Sequence, residues 1–420
     1  MADSINEASM QSYQRPFIIA WAFGCMFYFL EYAARSSPAV MIPQLSDTFK
    51  ITAVGVSAVL GMYYYTYSAT SLIAGVALDH AGARYPITIG IGILCIGCLL
   101  FAVPSVVAGN TGRLLQGAGS AFAFTGCVYL ASHGFPAKYI ATAIGFTQCV
   151  GMLGGSAGQF VVGPLVHNGV SIQAIWIAIG VLCALVCLGL FIITPREKLN
   201  NEGGSPWANI IEPYKVVFAN PQSYLSGIIS GLLFAPTTIF AMTWGIAFFQ
   251  QDKQFNYNSA VLTCAMVPLG WVVGCPLLGW ISDRIKARKP AIIGGGLLMM
   301  LSFAQLLYLP SLLPAFVSML IFGIASGAAM IPYSIIKEAN PDNVKGSATG
   351  AINFLTFGVT ALLGPVFAKS YGKDLTTTTD HLAHFKASGN FWLIITALAI
   401  VVGFIIKETG GHARAAEKLS

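Results

Sequence analysis

Glu31 and Arg35 stand four residues apart in FYFLEYAARSSPAVMIPQL, residues 27–45, a run that is otherwise largely apolar. On a helix, positions i and i+4 share one face, and Glu before Arg is the favourable order for an ion pair. An ionisable side chain in hydrocarbon costs roughly 2.5–3.5 kcal/mol, so one retained there marks a functional site. Arg113 is the third such charge, and no Asp or Lys lies near the middle of any apolar segment. Two guanidiniums offer planar forks suited to a carboxylate. The carboxylate beside them suits an ammonium group, or a proton when that group is absent. A molecule with both ends, an amino acid or a short peptide, would satisfy all three residues. A simple anion would need only the arginines and leave Glu31 to carry a proton. The alternative is a pair that neutralises itself and holds its helix in place, although an apolar pair would do so at lower cost. Arg113 is equally compatible with a structural or coupling role.

These residues need a membrane to make sense of them. The chain has 420 residues, 56% hydrophobic and 9% charged, against about 25% charged in soluble domains. Apolar windows of about 20 residues fall at 17–37, 52–77, 86–107, 110–132, 139–166, 173–194, 223–249, 257–281, 290–309, 312–336, 346–369 and 389–406. The expected fold is all-α, with twelve membrane helices. The first sixteen residues are polar and lack the apolar core of a signal peptide, so the first window reads as a true span. All nine cysteines lie in apolar segments. Cys95 and Cys98 have no second pair or histidine beside them and read as small packing residues, not as a metal or redox site.

The net charge of +6 is a matter of topology. Of the 22 Lys and Arg residues, two lie inside spans, five fall in one alternating set of connections, and fifteen fall in the set that includes both termini. The positive-inside rule therefore puts both termini in the cytoplasm, with no nucleic-acid partner implied. Residues 1–194 form one six-helix bundle and 223–420 the other. The connection 195–222 opens as a polar linker, PREKLNNEGGS, and continues as PWANIIEPYKVVFANPQ, which suits a short amphipathic helix. The polar stretch 371–390 is expected to face outside, with His381 and His384 as incidental residues of a solvated loop.

The two halves repeat each other. Gly75, Asp79, Ala83, Arg84 and Pro86 find counterparts in Gly279, Asp283, Ala287, Arg288 and Pro290, at a constant offset of 204. Gly145 with Gln148 parallels Gly350 with Asn353, and Gly163-Pro164 parallels Gly364-Pro365. Two parallel six-helix halves around a central site are a transporter plan. Together with Arg113-Leu-Leu-Gln116-Gly117-Ala-Gly119, these motifs resemble the major facilitator superfamily, and the resemblance covers nearly the whole chain. His80 stands where that family commonly has Arg, which weakens the first loop motif.

The resemblance implies that helices one and four line a central cavity, so that Arg113 could join Glu31 and Arg35. It also implies that Asp79, Arg84, Asp283, Arg284 and Arg288 form ion pairs that gate the cytoplasmic side. Around the cavity, Tyr64 and Tyr67 of the Tyr63–Tyr67 run are the favoured aromatic contacts. Gln116 is one turn from Arg113, while Gln148 and Asn353 occupy matching places in the two halves and serve equally well as interhelical bonds. Pro236 suggests a kink in helix seven, and Trp244 an apolar wall. The stretch Glu31-x-x-x-Arg35-x-Ser37-Pro38-x-x-Met41, with Tyr63-Tyr64-Tyr65-x-Tyr67, is similar to the bacterial phagosomal nutrient transporters and the lysosomal dipeptide carriers. That likeness implies proton-driven uptake of amino acids or small peptides by a monomer in a bacterial inner membrane, with no cofactor. Sugar acids, nucleosides and, less favourably, cationic drugs are the rival substrates. HExxH and clustered His or Cys do not occur, which argues against an enzyme.

Overall fold

The computed structural model describes residues 2–197, 206–310, 312–341, 344–369 and 380–410; for residues 2–13, 79, 137–138, 141 and 206–210 only the backbone is described. Among them, eleven helices are long and apolar enough to cross a membrane. A twelfth arises where the short helix Ile42–Phe49 meets Ala53–Leu78 across a bend of 99°. We number the spans α1 (Gln14–Val40), α2 (Ala53–Ala81), α3 (Arg84–Phe101), α4 (Val106–Gly134), α5 (Thr142–His167), α6 (Ile172–Ile193), α7 (Pro221–Gln251), α8 (Tyr257–Arg284), α9 (Lys289–Tyr308), α10 (Ala315–Glu338), α11 (Lys345–Phe367) and α12 (His381–Ile405). All twelve expected spans are present. α2 carries four tyrosines, Tyr63, Tyr64, Tyr65 and Tyr67.

The packing repeats with a step of six. The pairs α1–α5, α2–α4, α3–α4, α3–α6 and α1–α6 recur as α7–α11, α8–α10, α9–α10, α9–α12 and α7–α12. Between the halves the main contacts are α2–α11 and α5–α8, which the same symmetry exchanges. Since α1 begins and α12 finishes at one end of the bundle, we call that end the terminal face and the other the far face.

Proline and polar caps set several boundaries. Pro38 cannot continue an α-helix, and α1 tightens into a 3₁₀ turn over Ser37–Val40. Pro236 opens a π-helical stretch, Pro236–Trp244, in the middle of α7, where a span of regular bonding is replaced by wider turns that often mark functional sites. Its wider turns take outside partners. Gln159 of α5 donates to Ala241 O at 2.9 Å, and Trp271 of α8 donates to Thr237 Oγ1 at 3.0 Å. The linker helix is present as Pro206–Ala219, and Tyr214 on it donates to Leu72 O of α2 at 2.7 Å.

One expectation is corrected. α12 begins at His381, eight residues before the apolar window, because Asp380 caps it by accepting from Ala383 N at 2.9 Å. His384 is therefore a buried helical residue, 8% exposed, and not part of a solvated loop. Residues 371–379 of that stretch lie outside the described residues.

Candidate functional site

Arg35 lies one turn before the Pro38 break, with its side chain folded back along α1 onto Glu31. The two form an ion pair with no side-chain exposure. Tyr63 of α2 completes a triangle. Arg35 donates to Glu31 Oε1 through Nη2, and to the Tyr63 hydroxyl through Nε at 3.2 Å and Nη2 at 3.0 Å. A guanidinium only donates, so the Tyr63 proton is free to point to Glu31 Oε1, which accepts it. One carboxylate oxygen thus holds two donors. Glu31 Oε2 and Arg35 Nη1 are buried with no partner.

The guanidinium carbon of Arg35 lies 4.3 Å from the Tyr32 ring centre, 5.0 Å from Tyr63 and Tyr67, and 5.1 Å from Phe357. Such contacts are worth about 2 kcal/mol when desolvated, and they offset part of the cost of burying the pair. Three of these rings come from the first half and Phe357 from the second.

Arg113 approaches the same triangle from behind, 4.9 Å from the Tyr63 ring. Its hydrogen bonds go elsewhere: Nη1 to Ala34 O at 3.3 Å and to Gln116 Oε1 at 2.7 Å, and Nη2 to Leu60 O at 3.5 Å. Gln116 in turn donates to Gly97 O of α3 at 3.2 Å. Arg113 and Gln116 therefore tie α4 to α1, α2 and α3, and the Tyr63 ring stands beside both guanidiniums. Gly117 permits this closeness, since a Cβ there would lie 2.0 Å from Tyr63 O.

Two cavities flank an aromatic partition. The larger, about 1090 Å³, opens at the far face between the start of α2 and the end of α11, and Tyr64, Trp244 and Thr360 line it. The smaller, about 20 Å³, is bordered by Tyr28, Tyr32, Tyr67, Gln148, Tyr333 and Asn353, among others. Between them Phe357 packs 6.3 Å from Tyr64 and 4.1 Å from Tyr67, ring centre to ring centre. Toward the terminal face the α2–α11 seam is closed, and Ser68 Oγ donates to Phe354 O at 2.7 Å.

Gln148 and Asn353 both reach the smaller cavity, one from each half. Gln148 Oε1 accepts from Tyr28 at 3.1 Å, and Asn353 Oδ1 accepts from Tyr333 at 2.5 Å. Sequence reasoning overlooked Tyr28, Tyr32, Tyr333 and Phe357, and within the Tyr63–Tyr67 run it favoured Tyr64 and Tyr67 over Tyr63. Tyr28 and Tyr32 carry a readable signal, since with Arg35 they repeat at helical spacing on one face.

The loop charges make contacts within one half. Arg288 donates to Asp283 at 2.5 Å and to Glu338 at 2.8 and 3.3 Å. Arg284 lies 5.3 Å from the Trp280 ring, and Arg84 lies 4.7 Å from Phe191 and donates to Thr194 O at 3.5 Å. The Asp79 side chain is outside the described residues. The two halves also share a device that motif reading missed. Glu197, after α6, accepts from Ala83 N at 3.1 Å, and Glu408, after α12, accepts from Arg288 N at 2.7 Å and Lys289 N at 2.9 Å. Each carboxylate caps the start of the third helix in its half, where helix N–H groups lack partners.

At the far face Asp252 accepts from His384 Nδ1 at 2.7 Å and lies 3.4 Å from His381 Nδ1. Burial pushes the Asp252 carboxyl up from its ordinary value, partly opposed by the two histidines. Among the described residues no group of three His, Cys, Asp or Glu side chains could hold a metal ion.

Comparison with known proteins accords with this architecture. The chain is 23% identical to the uncharacterized transporter YybO of Bacillus subtilis (strain 168), covering 97% of this chain and 96% of that one. A bacterial homolog of the human lysosomal transporter Spinster, in an inward-facing and unoccupied conformation, superposes with a TM-score of 0.70 at 15% identity, over 93% of this chain and 97% of that one. A mutant of the nucleoside transporter NupG gives a TM-score of 0.70 at 17% identity, over 92% and 98% of the two chains. At these identities the structures show a shared fold. The Major Facilitator Superfamily model matches residues 24–365, and with twelve spans in two matching halves around a buried ion pair the chain belongs to that superfamily of membrane transporters.

Proposed function

We propose that this transporter carries a small zwitterion, an amino acid or short peptide, by proton-coupled uptake. The observation that carries the reading is the pair of unpartnered atoms on Glu31 and Arg35, one acceptor and one donor, both fully buried. A carboxylate placed on Arg35 Nη1 and an ammonium on Glu31 Oε2 would satisfy both and add no net charge to the core. Glu31, the buried carboxylate of the site, is the group that takes up and releases the coupling proton during the cycle. Tyr64, Tyr67, Gln148, Trp244 and Asn353 line the route on either side of the partition. Arg113 and Gln116 support the triangle from behind.

Domain boundaries at 194 and 222 leave the linker helix to join the two bundles. The fifteen-to-five distribution of basic residues supports a cytoplasmic terminal face, in a bacterial inner membrane as the bacterial relative suggests. Asp79, Arg84, Asp283, Arg284 and Arg288 then serve as the cytoplasmic clamp, which rearranges when that face opens. The protein acts as a monomer in this scheme.

A second reading, an organic anion such as a sugar acid, draws on Arg113. Its charge is shared among neutral oxygens, so the core carries one positive charge beyond the ion pair. A nucleoside would stack on the aromatic shell but leave both charged orphans unpaired.

Uptake into proteoliposomes under an imposed proton gradient tests the proposal, with amino acids, dipeptides, sugar acids and nucleosides as candidates. Zwitterions are expected to accumulate and to compete with one another. Equal competition by carboxylates that lack an amine would overturn the zwitterion assignment. Glu31→Gln separates the readings by sign: it should weaken zwitterion binding and abolish gradient-driven accumulation, whereas an organic anion would bind it more tightly.

A further inference from the structure

Asn353 is 2% exposed and borders the smaller cavity from α11, the half that contributes neither Glu31 nor Arg35. Its amide has a fixed polarity. The Tyr333 hydroxyl donates to Oδ1 at 2.5 Å, which leaves the Nδ2 donors turned away from Tyr333, and Nδ2 is buried without a partner. An amide nitrogen can only donate, and a buried donor left empty is unfavourable, so the position calls for an acceptor. The cavity of about 20 Å³ has room for about one water; a ligand group would enter as the halves part. No charged side chain lines this cavity: beside Phe234, Trp271, Phe357 and the tyrosines, its other polar residues are the neutral Gln148, Ser230 and Thr356. Aromatic walls, neutral polar neighbours and the open Asn353 N–H donor are what a neutral, planar carbonyl group fits.

We infer that Asn353, oriented by Tyr333, is the subsite for a neutral amide carbonyl of the substrate, so that the carrier prefers zwitterions bearing an amide over those with purely aliphatic side chains. The inference rests on the zwitterion assignment at Glu31 and Arg35, and it adds a third anchor from the opposite half. Engagement of that anchor would draw α11 onto the site and so link occupancy to closure of the two halves. Two kinds of molecule carry the required group: a short peptide, through its backbone, and an amino acid with a carboxamide side chain.

The test is competition and equilibrium binding on the full-length protein in liposomes, with alanine against alanyl-alanine and methionine against its near-isostere glutamine. A preference of about tenfold or more for the amide-bearing partner of at least one pair is expected, the size of one well-placed hydrogen bond to a buried donor. Which pair shows it separates the peptide from the carboxamide source. Asn353→Leu should erase the preference, lowering affinity for the amide-bearing partner about tenfold more than for alanine. Asn353→Asp, isosteric and able to keep the Tyr333 bond, should do the same if the leucine variant does not fold. Tyr333→Phe should reduce the preference partway, since the amide is then free to turn. Ordinary binding of alanine and methionine with no preference in the wild type would overturn the inference alone. So would Asn353 variants that weaken every ligand equally. If neither amino acids nor peptides bind, the zwitterion assignment falls, and this inference with it.

Discussion

Tyr63 donates its only proton to the Glu31 oxygen that Arg35 already holds, and the other oxygen of that carboxylate stays bare. The hydroxyl is saturated, with one proton given and two lone pairs facing Arg35. It therefore sets the orientation of both charged groups and leaves one open atom on each. Tyr63→Phe should remove this control. Two Arg35 donors and one Glu31 acceptor would lose a buried partner, at about 1–3 kcal/mol. A lower unfolding temperature in detergent together with weaker zwitterion binding is the expected result. An unchanged protein would show that the triangle does not form.

Gly117 sets how closely α4 meets α2. A methyl at this position would lie 2.0 Å from Tyr63 O and 2.4 Å from Thr66 Oγ1. Backbone cannot yield as a side-chain tip can, so Gly117→Ala must push α2 outward and carry Tyr63 with it. Forced overpacking of this kind typically costs about 1–3 kcal/mol. Thermal stability and substrate binding should fall together, and retention of both would mean that the α2–α4 contact is looser than described.

Arg288 holds two acids of unequal value. The Asp283 side chain is 70% exposed and Glu338 only 14%. Exposed pairs contribute little, so Asp283→Asn should change stability by less than about 1 kcal/mol. Glu338→Gln removes the partner that is screened from water, and also weakens the bond from Thr409 Oγ1 at 2.7 Å. It should lower the unfolding temperature more than Asp283→Asn does. The reverse order would place the main pair at Asp283.

Asp252 provides a pH test at the far face. Burial raises its carboxyl above the ordinary value, so the folded chain binds that proton more tightly than the unfolded chain. The stability it contributes is then fully present below the unfolded value, near 4, and is lost as pH rises through the folded value. Asp252→Asn does not titrate. Relative to this variant, the wild type should lose unfolding temperature as pH rises from about 4 toward neutrality. A wild type that gains over the variant in that window would show that His384 and His381 outweigh burial.

Much of this protein is a matter of composition and local order. Twelve spans follow from the cost of exposing polar backbone and charge to lipid, which is paid residue by residue along the chain. The Gly-Asp-Arg-Pro repeat at an offset of 204 reports the two halves, because each half must turn at the same point. Glu31 and Arg35 stand out for the same reason, as charges where charge is costly. The linker helix was legible from its alternation of apolar and polar residues.

The tertiary structure decided which neighbours these residues meet. A helix turns about 100° per residue, so adjacent tyrosines face different partners: Tyr63 meets the ion pair, Tyr64 the larger cavity and Tyr67 the smaller. No periodicity within one segment could bring Phe357, more than three hundred residues further on, against Arg35. The same holds for Arg113, whose donors go to the carbonyls of Ala34 and Leu60. His384 reads as loop when α12 is sought by hydropathy alone, and becomes a buried partner of Asp252 once α7 and α12 pack. Sequence alone determined which residues are costly to bury. Only packing between distant helices decided which atoms of Glu31, Arg35 and Asn353 are left open.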